Sequence, residues 1–496
     1  MRTLAAAWST APSSSNTSHL RSPPAAHRRS RSARAAQPPE RRSQLNEPGP
    51  FSPPAEGPAG ASIGEALAWL DRHINLEAIE SGKAGRHAEP TLERIAALVA
   101  AMGDPQSAFP KVHVTGTNGK GSTTRMISSL LEADGLRAGS YTSPHLVSIN
   151  ERMSIAGEAI PDDELALQLA AMAELEAFIG VKATWFELVT ATAFRWFADE
   201  AVDAAVVEVG LGGRWDATNI GNGEVAVVTN VQLDHTEILG DTRELIAAEK
   251  AGIVKPGTVL VLCEEDEAVA AVFEAEAERV GATAVWRRGP DFSASNLRLA
   301  VGGRVANLET PAGTYEDVFV PLAGAHQCEN AAIALAGAQA LLGAPLSQDV
   351  VSAGFAAVRA PGRLEIVGRR PFVVLDGAHN PAGAVAVGAA LAEDFAFAKR
   401  VIVVMGCLRG RSAGSLLSGL WSSRIEHVVA CAPPTPRAQP PRAVLEAARD
   451  LGLSATECDD VREAVEAALA MAGEDDLVLV TGSLYVVGAA RPVLGI

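Results

Sequence analysis

The stretch Lys111–Thr124 reads KVHVTGTNGKGSTT. A short β-branched run (Val112, His113, Val114) stops at a glycine-rich turn, and an apolar helical pattern follows at Met126, Ile127, Leu130 and Leu131. Strand, loop and helix in that order make an anion cradle. Gly116 and Gly119 let backbone N–H groups converge, and the helix N-terminus adds the positive end of its dipole. Lys120 supplies a cation for outer phosphates, and Ser122 or Thr123 a hydroxyl near a metal. The spacing departs from the common phosphate loop: three positions, not five, separate Gly116 from Lys120, and a glycine follows the lysine. The strand–turn–helix context still favours phosphate binding over an ordinary connecting turn.

The 496 residues around this loop carry a formal net charge of −17. That length allows about two to three domains with large cores, and the charge argues against an extended nucleic-acid surface. Residues 1–60 differ from the rest: eight arginines face three acids, a surplus of five positive charges that leaves −22 for the remainder. Rich in Ser, Pro, Ala and Arg, this opening is expected to be disordered. Its arginines and late first acid (Glu40) resemble an organelle transit peptide, although a flexible extension or a mis-set start is the preferred reading. Five scattered cysteines without a CxxC pair read as buried free thiols of a reducing, cytoplasmic compartment. The weakly polar runs Ala331–Leu346 and Leu477–Ala490 fall short of the ~18–20 residues a membrane span needs.

Outward from the loop, the pattern is α/β. Helices are expected at Ile63–Ile74 and from Pro90–Thr91 onward. Continuous apolar runs at Ala204–Val209, Val225–Thr229 and Val259–Leu262 alternate with helical patterns at Glu187–Phe197, Thr242–Ala251 and Glu267–Val280. Such runs suit a parallel sheet covered on both faces. Ser295–Val320 changes to short alternating strands with glycine turns, an antiparallel section, and a helix Glu329–Leu342 follows. Near Pro361 the pattern restarts, with strands at Phe372–Leu375, Val401–Met405, His427–Ala430 and Leu477–Val480. Helices Ala384–Glu393, Ala443–Leu451 and Val461–Ala470 lie between them, a second doubly wound unit.

Several polar residues follow strand ends, where α/β enzymes place their sites. Glu208 ends the apolar run AVVEVG, and a carboxylate there is costly unless paired or metal-bound. Asp234 and His235 follow Val225–Thr229. Asp241 and Glu244 read as a capping box for the helix that ends at Lys250, and in isolation Lys250 reads as a helix-end lysine on a solvated face. Arg363 sits at the junction, within reach of phosphates. Asp376, His379 and Asn380 follow one strand, and Thr481, Gly482 and Ser483 follow another as a carboxylate cradle.

Taken together, FPKVHVTGTNGKGS, TSPHLVSINERMSIAGEAI, FELVTATAF, VVEVGLGGRWDATN, LDHTEILGDT, EKAGIVKPG, GAHQCENA, PGRLE, DGAHNP and TGSLYVVG resemble the folylpolyglutamate synthases and dihydrofolate synthases of the Mur ligase superfamily. The match spans about residues 62 to 490. It implies a Mur-ligase-like ATPase domain with a parallel sheet and phosphate loop (61–360) and a C-terminal, Rossmann-like doubly wound α/β domain (361–496). The implied reaction is ATP-dependent: a pteroate or folate carboxylate becomes an acyl phosphate that the amine of L-glutamate attacks. The implied cofactors are ATP and two Mg²⁺ ions, and the implied state is a monomer with small-molecule substrates, no nucleic acid and no membrane. By resemblance, Thr117, Asn118, Gly119, Lys120, Gly121, Ser122, Gln327, Asn330, Arg363 and Asp376 serve the nucleotide. Ser143, Glu208 and His235 match the metal positions, and Lys250 matches a lysine that is carbamylated in the family. Arg152, Arg214, Asp216 and Ala217 lie where the folate substrate is held, and His379 and Ser483 lie at the phosphate and glutamate end. Lys120, Lys250, Arg363 and His379 are the implied catalytic set.

One stretch departs from the family. Where MG-x-L-x-D-K-D is common, this chain has MGCLRGRSA, with Gly410 and Ser412 in place of two acids. Two rival readings stand beside the ligase. One is a ligase acting on a UDP-sugar peptide, for which the fifty residues before the loop leave too little room for a sugar domain. The other is a catalytically silent nucleotide-binding regulator, against which Lys120, Glu208, His235, Lys250 and Arg363 together speak.

Overall fold

The computed structural model describes residues 62–75, 77, 91–420 and 424–496. The tail 1–60 and Pro90 lie outside the described residues. Lys111–Thr115 forms the strand that its β-branched run predicts, every residue buried. It lies inside an eight-stranded sheet, between Ala204–Glu208 and Val225–Val228, both parallel to it. Ala138–Tyr141 flanks this trio on one side, and Val259–Leu262 and Ala284–Arg287 on the other, all parallel. The short strands Met153–Ile155 and Glu158–Ala159 complete the sheet antiparallel.

Alternate residues of these strands enter different cores. Ala204 and Val206 join Val112, Val114 and the helices Lys120–Ala133 and His326–Leu342, whereas Ala205 and Val207 pack with Phe194, Phe197 and Leu188 of the helix Trp185–Asp199. Both faces are therefore covered, the condition that an unbroken apolar strand requires. Ala138–Tyr141 (AGSY) carries no strand signal because its neighbour demands small residues: a Cβ on Gly139 would sit 3.0 Å from the Phe197 ring. Ser293–Ala300, Gly303–Thr310 and Gly313–Val320 make the anticipated antiparallel section, a three-stranded sheet against the helix His326–Leu342.

Beyond Pro361 a six-stranded sheet runs in the order Glu365–Arg369, Phe372–Leu375, Leu477–Thr481, Val401–Met405, Ile425–Ala430, Ser454–Glu457. Only the first pair is antiparallel. The last strand in the chain thus lies mid-sheet. Two expectations need correction. The helix Arg243–Lys250 is capped by Thr242, whose hydroxyl accepts from Leu245 N–H, so Asp241 and Glu244 form no capping box: Glu244 stands one residue too early to close it. The first helix stops at Leu70, its end capped by the Asp71 N–H, rather than reaching Ile74. Among the described residues no helix is long and apolar enough to cross a membrane.

The six-stranded part meets the rest of the chain through polar and close-packed contacts, one of them from the three-stranded sheet. Arg304, 5 % exposed, pairs with Glu393 (2.6 Å) and Asp394 (2.5 Å), and Gly488 lies so close to the Leu146 carbonyl that a Cβ would sit 2.1 Å from its oxygen. The Asp394 side chain is only 7 % exposed, so Arg304→Met leaves its carboxylate the Gly324 N–H but takes away its arginine partner. Breaking such a pair costs about 3–5 kcal/mol, and the variant is expected to melt several degrees lower in a thermal scan. An unchanged scan would show that the pair contributes nothing to the seam.

Candidate active site

A cavity of about 400 Å³ opens where the strand ends of both sheets converge. On the first sheet it is bounded by the turns after Lys111–Thr115, Ala204–Glu208 and Val225–Val228, and on the second by the turn after Phe372–Leu375. This is where parallel sheets leave loops and helix N-termini free to bind ligands.

The phosphate loop is held from below. Gly116 takes φ +149°, and a Cβ there would meet the Thr229 hydroxyl at 1.9 Å. Gly119 caps the following helix at φ +87°. Asn230 clamps the loop twice: its carbonyl accepts from Thr117 N–H (2.8 Å) and its side-chain oxygen from Asn118 N–H (3.1 Å). Lys120 Nζ lies 3.3 Å from the carbonyls of Gly116 and Thr117. Glu208, 3 % exposed, accepts from Ser143 N–H at 3.1 Å. Burial pushes its carboxyl up, while Lys120, the Ser143 N–H, Arg363 and Arg125 act to keep it ionised.

Lys250 is not on a solvated face. It is 4 % exposed, and its ammonium donates to the Gly116 carbonyl at 2.8 Å. Burial, with the charge of Lys120 adding to it, pushes Lys250 down to about 7. A lysine poised there exchanges readily between ammonium and nucleophilic amine.

From the second sheet, Asp376 accepts from Leu364 N–H (2.9 Å) and Ala378 N–H (2.8 Å), and its carboxyl is pushed up by burial against the pull of Arg363. Arg363 lines the cleft, and no described carboxylate lies within ion-pair distance of it. Asn380 bridges the sheets: its amide exchanges hydrogen bonds with Asn118 (3.0 and 3.3 Å) and donates to Asp234 at 3.0 Å. Asp234 is also paired with Arg411 and lies 3.7 Å from His379. Burial works to raise Asp234, but His235, Arg411 and His379 outweigh it and hold the carboxyl well below the usual range. His235 takes the left-handed conformation (φ 50°), unusual for a non-glycine residue, and burial pushes its imidazole down to about 4. Neutral at pH 7, it accepts from Arg411 Nη2 at 3.3 Å.

The cleft therefore gathers Thr117–Ser122, Ser143, Glu208, His235, Lys250, Gln327, Asn330, Arg363, Asp376 and His379. Of the residues that the resemblance assigns to the site, five lie outside its lining. Ser483, 1 % exposed, caps the helix Leu484–Val493. Arg152, 1 % exposed, forks onto Glu77 (3.0 and 2.6 Å) over the Trp185 ring. Asp216 caps the turn Ala217–Asn219 and Ala217 is core, while Arg214 turns to the Ala248 carbonyl and Glu276. Sequence reading missed Asn230 and Arg411. Asn230 carries the signal of an amide straight after a strand, whereas Arg411 carries none beyond an isolated charge.

These groups can neutralise a polyphosphate, hold a hard cation through Glu208 and the Ser143 hydroxyl, and bring a second reactant from the other sheet. Comparison with known proteins gives the same picture. Residues 114–338 match the Mur ligase middle domain and residues 362–484 the Mur ligase glutamate ligase domain. The dihydrofolate synthase/folylpolyglutamate synthase of Mycobacterium tuberculosis is 38 % identical over 443 residues, covering 82 % of this chain and 90 % of the relative. The crystal structure of folylpolyglutamate synthase from that organism, complexed with ADP and AMPPCP, superposes with a TM-score of 0.81 at 37 % identity, covering 88 % of this chain and 99 % of that one. Escherichia coli FolC in complex with DHPP and ADP gives 0.76 at 32 %, covering 88 % and 99 %.

Burial of Lys250 has a pH signature. Its folded value of about 7 lies below the ordinary 10.5, so between these values the unfolded chain holds a proton that the folded chain lacks, and stability climbs with pH. Below about pH 7 the cost of burying the ammonium is fully present. In CO₂-free buffer the melting temperature of the wild type is expected to rise relative to that of Lys250→Met between about pH 7 and pH 9.5. A gap that stays flat would overturn the buried-amine assignment.

Proposed function

The chain belongs to the dihydrofolate synthase/folylpolyglutamate synthase family, and from that premise we propose that it uses ATP to join L-glutamate to both dihydropteroate and folate-type acceptors. The observation that carries this reading is the single cleft in which the phosphate loop of one sheet faces His379 and Asn380 of the other. The division that fits places the nucleotide module within 61–360 and the glutamate module within 361–496, a monomer of the cytoplasm. Its cysteines support that compartment: five are free, four of them buried. The UDP-sugar ligase and the silent regulator have no comparable support.

In this reading the acceptor carboxylate attacks the γ-phosphorus, ADP leaves, and an acyl phosphate forms. The glutamate amine then adds to the acyl carbon, loses a proton, and phosphate departs. Lys120 and Arg363 neutralise the oxygens in flight, a task of charge and position more than of covalent chemistry. Thr117, Asn118, Asn330 and Asp376 place the nucleotide, and His379 and Ser483 the glutamate end. For the metal, the donors fit one Mg²⁺ directly: Glu208 and the Ser143 hydroxyl supply the few oxygens that Mg²⁺ takes from protein when phosphates and water supply the rest. When bound, the ion would screen phosphate charge. Among the described residues no three His, Cys, Asp or Glu cluster as a cage. A second ion near His235 fits if Lys250 adds CO₂ and releases a proton to become a carbamate, whereas its ammonium form would repel a cation. Arg152 and the Arg214–Ala217 turn frame the acceptor side.

Purified protein is expected to release phosphate in a glutamate-dependent way with dihydropteroate and with tetrahydrofolate. Lys120→Ala should fall by ~10²–10³-fold, and Lys250→Arg should be inactive and melt below the wild type, because its guanidinium stays charged at a buried position. Glutamate-independent phosphate release, or full activity of Lys250→Arg, would remove the ligase assignment or the carbamate respectively.

A further inference from the structure

The loop Gly406–Ser412 follows the second-sheet strand Val401–Met405, and its arginine has a definite destination. Arg411 Nη1 pairs with Asp234 of the first sheet, and Nη2 donates to His235 at 3.3 Å. The loop is built to present it. The Arg411 N–H donates to the Leu408 carbonyl (3.2 Å), and Gln439 Nε2 donates to the carbonyls of both Leu408 (2.9 Å) and Arg411 (2.5 Å). Gly410 takes φ +83° with open space around it, and neither Gly410 nor Ser412 offers a charge that competes for the guanidinium. The root of the loop touches the other end of the site: a Cβ on Gly482 would meet the Gly406 carbonyl at 2.7 Å, and Gly406 N–H donates to Thr481 O at 3.4 Å.

We propose that Arg411 is a positioning residue for the amine-donor half of the site, fixing the Gly406–Ser412 loop, and with it Gly482–Ser483, against Asp234 and His235 across the cleft. Asp234 is the receiving node, because it also takes Asn380 (3.0 Å) and faces His379 at 3.7 Å. Loss of the guanidinium frees the loop that abuts Gly482–Ser483 and leaves a buried carboxylate undercompensated. The phosphate-loop contacts of Lys120 and Lys250 lie wholly on the first sheet and stay in place.

This proposal rests on the ligase reading above. The test uses the full chain, with Arg411→Ala, Arg411→Lys, Asp234→Asn and the double variant Arg411→Ala/Asp234→Asn. Glutamate KM, kcat, ADP affinity by calorimetry and melting temperature are measured for each. Arg411→Ala is expected to raise glutamate KM about tenfold, the size of coupling typical of neighbours in one ionic network, with ADP affinity unchanged. Arg411→Lys should recover part of the loss, because an ammonium reaches one partner where the fork reaches two. Asp234→Asn should cost less in the Arg411→Ala background than alone. Glutamate KM unaltered in Arg411→Ala while only melting falls, or single effects that multiply in the double variant, would overturn the proposal alone. A wild type without glutamate-dependent turnover would overturn this proposal and the ligase reading together.

Discussion

The active cleft depends on the space denied to a side chain at Gly116. Its α-carbon is pressed against the Thr229 hydroxyl at a positive φ, while its carbonyl receives Lys250 at 2.8 Å and lies 3.3 Å from Lys120. Two lysine side chains share one peptide oxygen because the backbone can approach the neighbouring strand so closely, and any Cβ would push the loop off that strand. The same approach lets Asn230 clamp Thr117 and Asn118. Loop geometry, the burial of Lys250 and the electrostatic setting of Glu208 thus follow from one steric condition.

Charge in the cleft is shared between the sheets. The first contributes Lys120, Glu208 and Lys250, and the second Arg363, Asp376 and His379. Buried groups of both signs sit within reach of one another, which is where strongly displaced proton affinities are found in enzymes. Asp234 is the clearest case, a carboxylate kept ionised by histidine and arginine neighbours against its own burial.

Much of this was legible from residue order alone. Apolar runs bounded by glycine turns located the main parallel strands of both sheets, and the strand–glycine–helix grammar located the phosphate loop. Elements with weak side-chain signals were not legible. Ala138–Tyr141 is a strand whose small residues answer the Phe197 ring rather than strand propensity, and the long helix Asp162–Ile179 spreads its apolar residues without one clear stripe. Lys250 shows the deeper limit: its helix-end position suggests solvent, and only packing against the sheet reveals a buried amine. The resemblance assigns it to the site, whereas its local sequence context does not. Arg411 escaped both routes, since its partner lies 177 positions away. Conversely, the resemblance alone singles out Arg152 and Asp216, and both are engaged beside the cleft rather than in its wall.

Placement of Leu477–Thr481 between Phe372–Leu375 and Val401–Met405 has a consequence for how the molecule is made. During synthesis the first sheet and its phosphate loop can assemble while the second sheet is still divided, its two halves lacking the strand that joins them. Gly482–Leu484, which follow that strand, reach the site last. A ribosome that stops before Leu477 therefore releases a chain with an assembled nucleotide loop and a split second layer, whose unpaired strand edges mark it for chaperones and proteases.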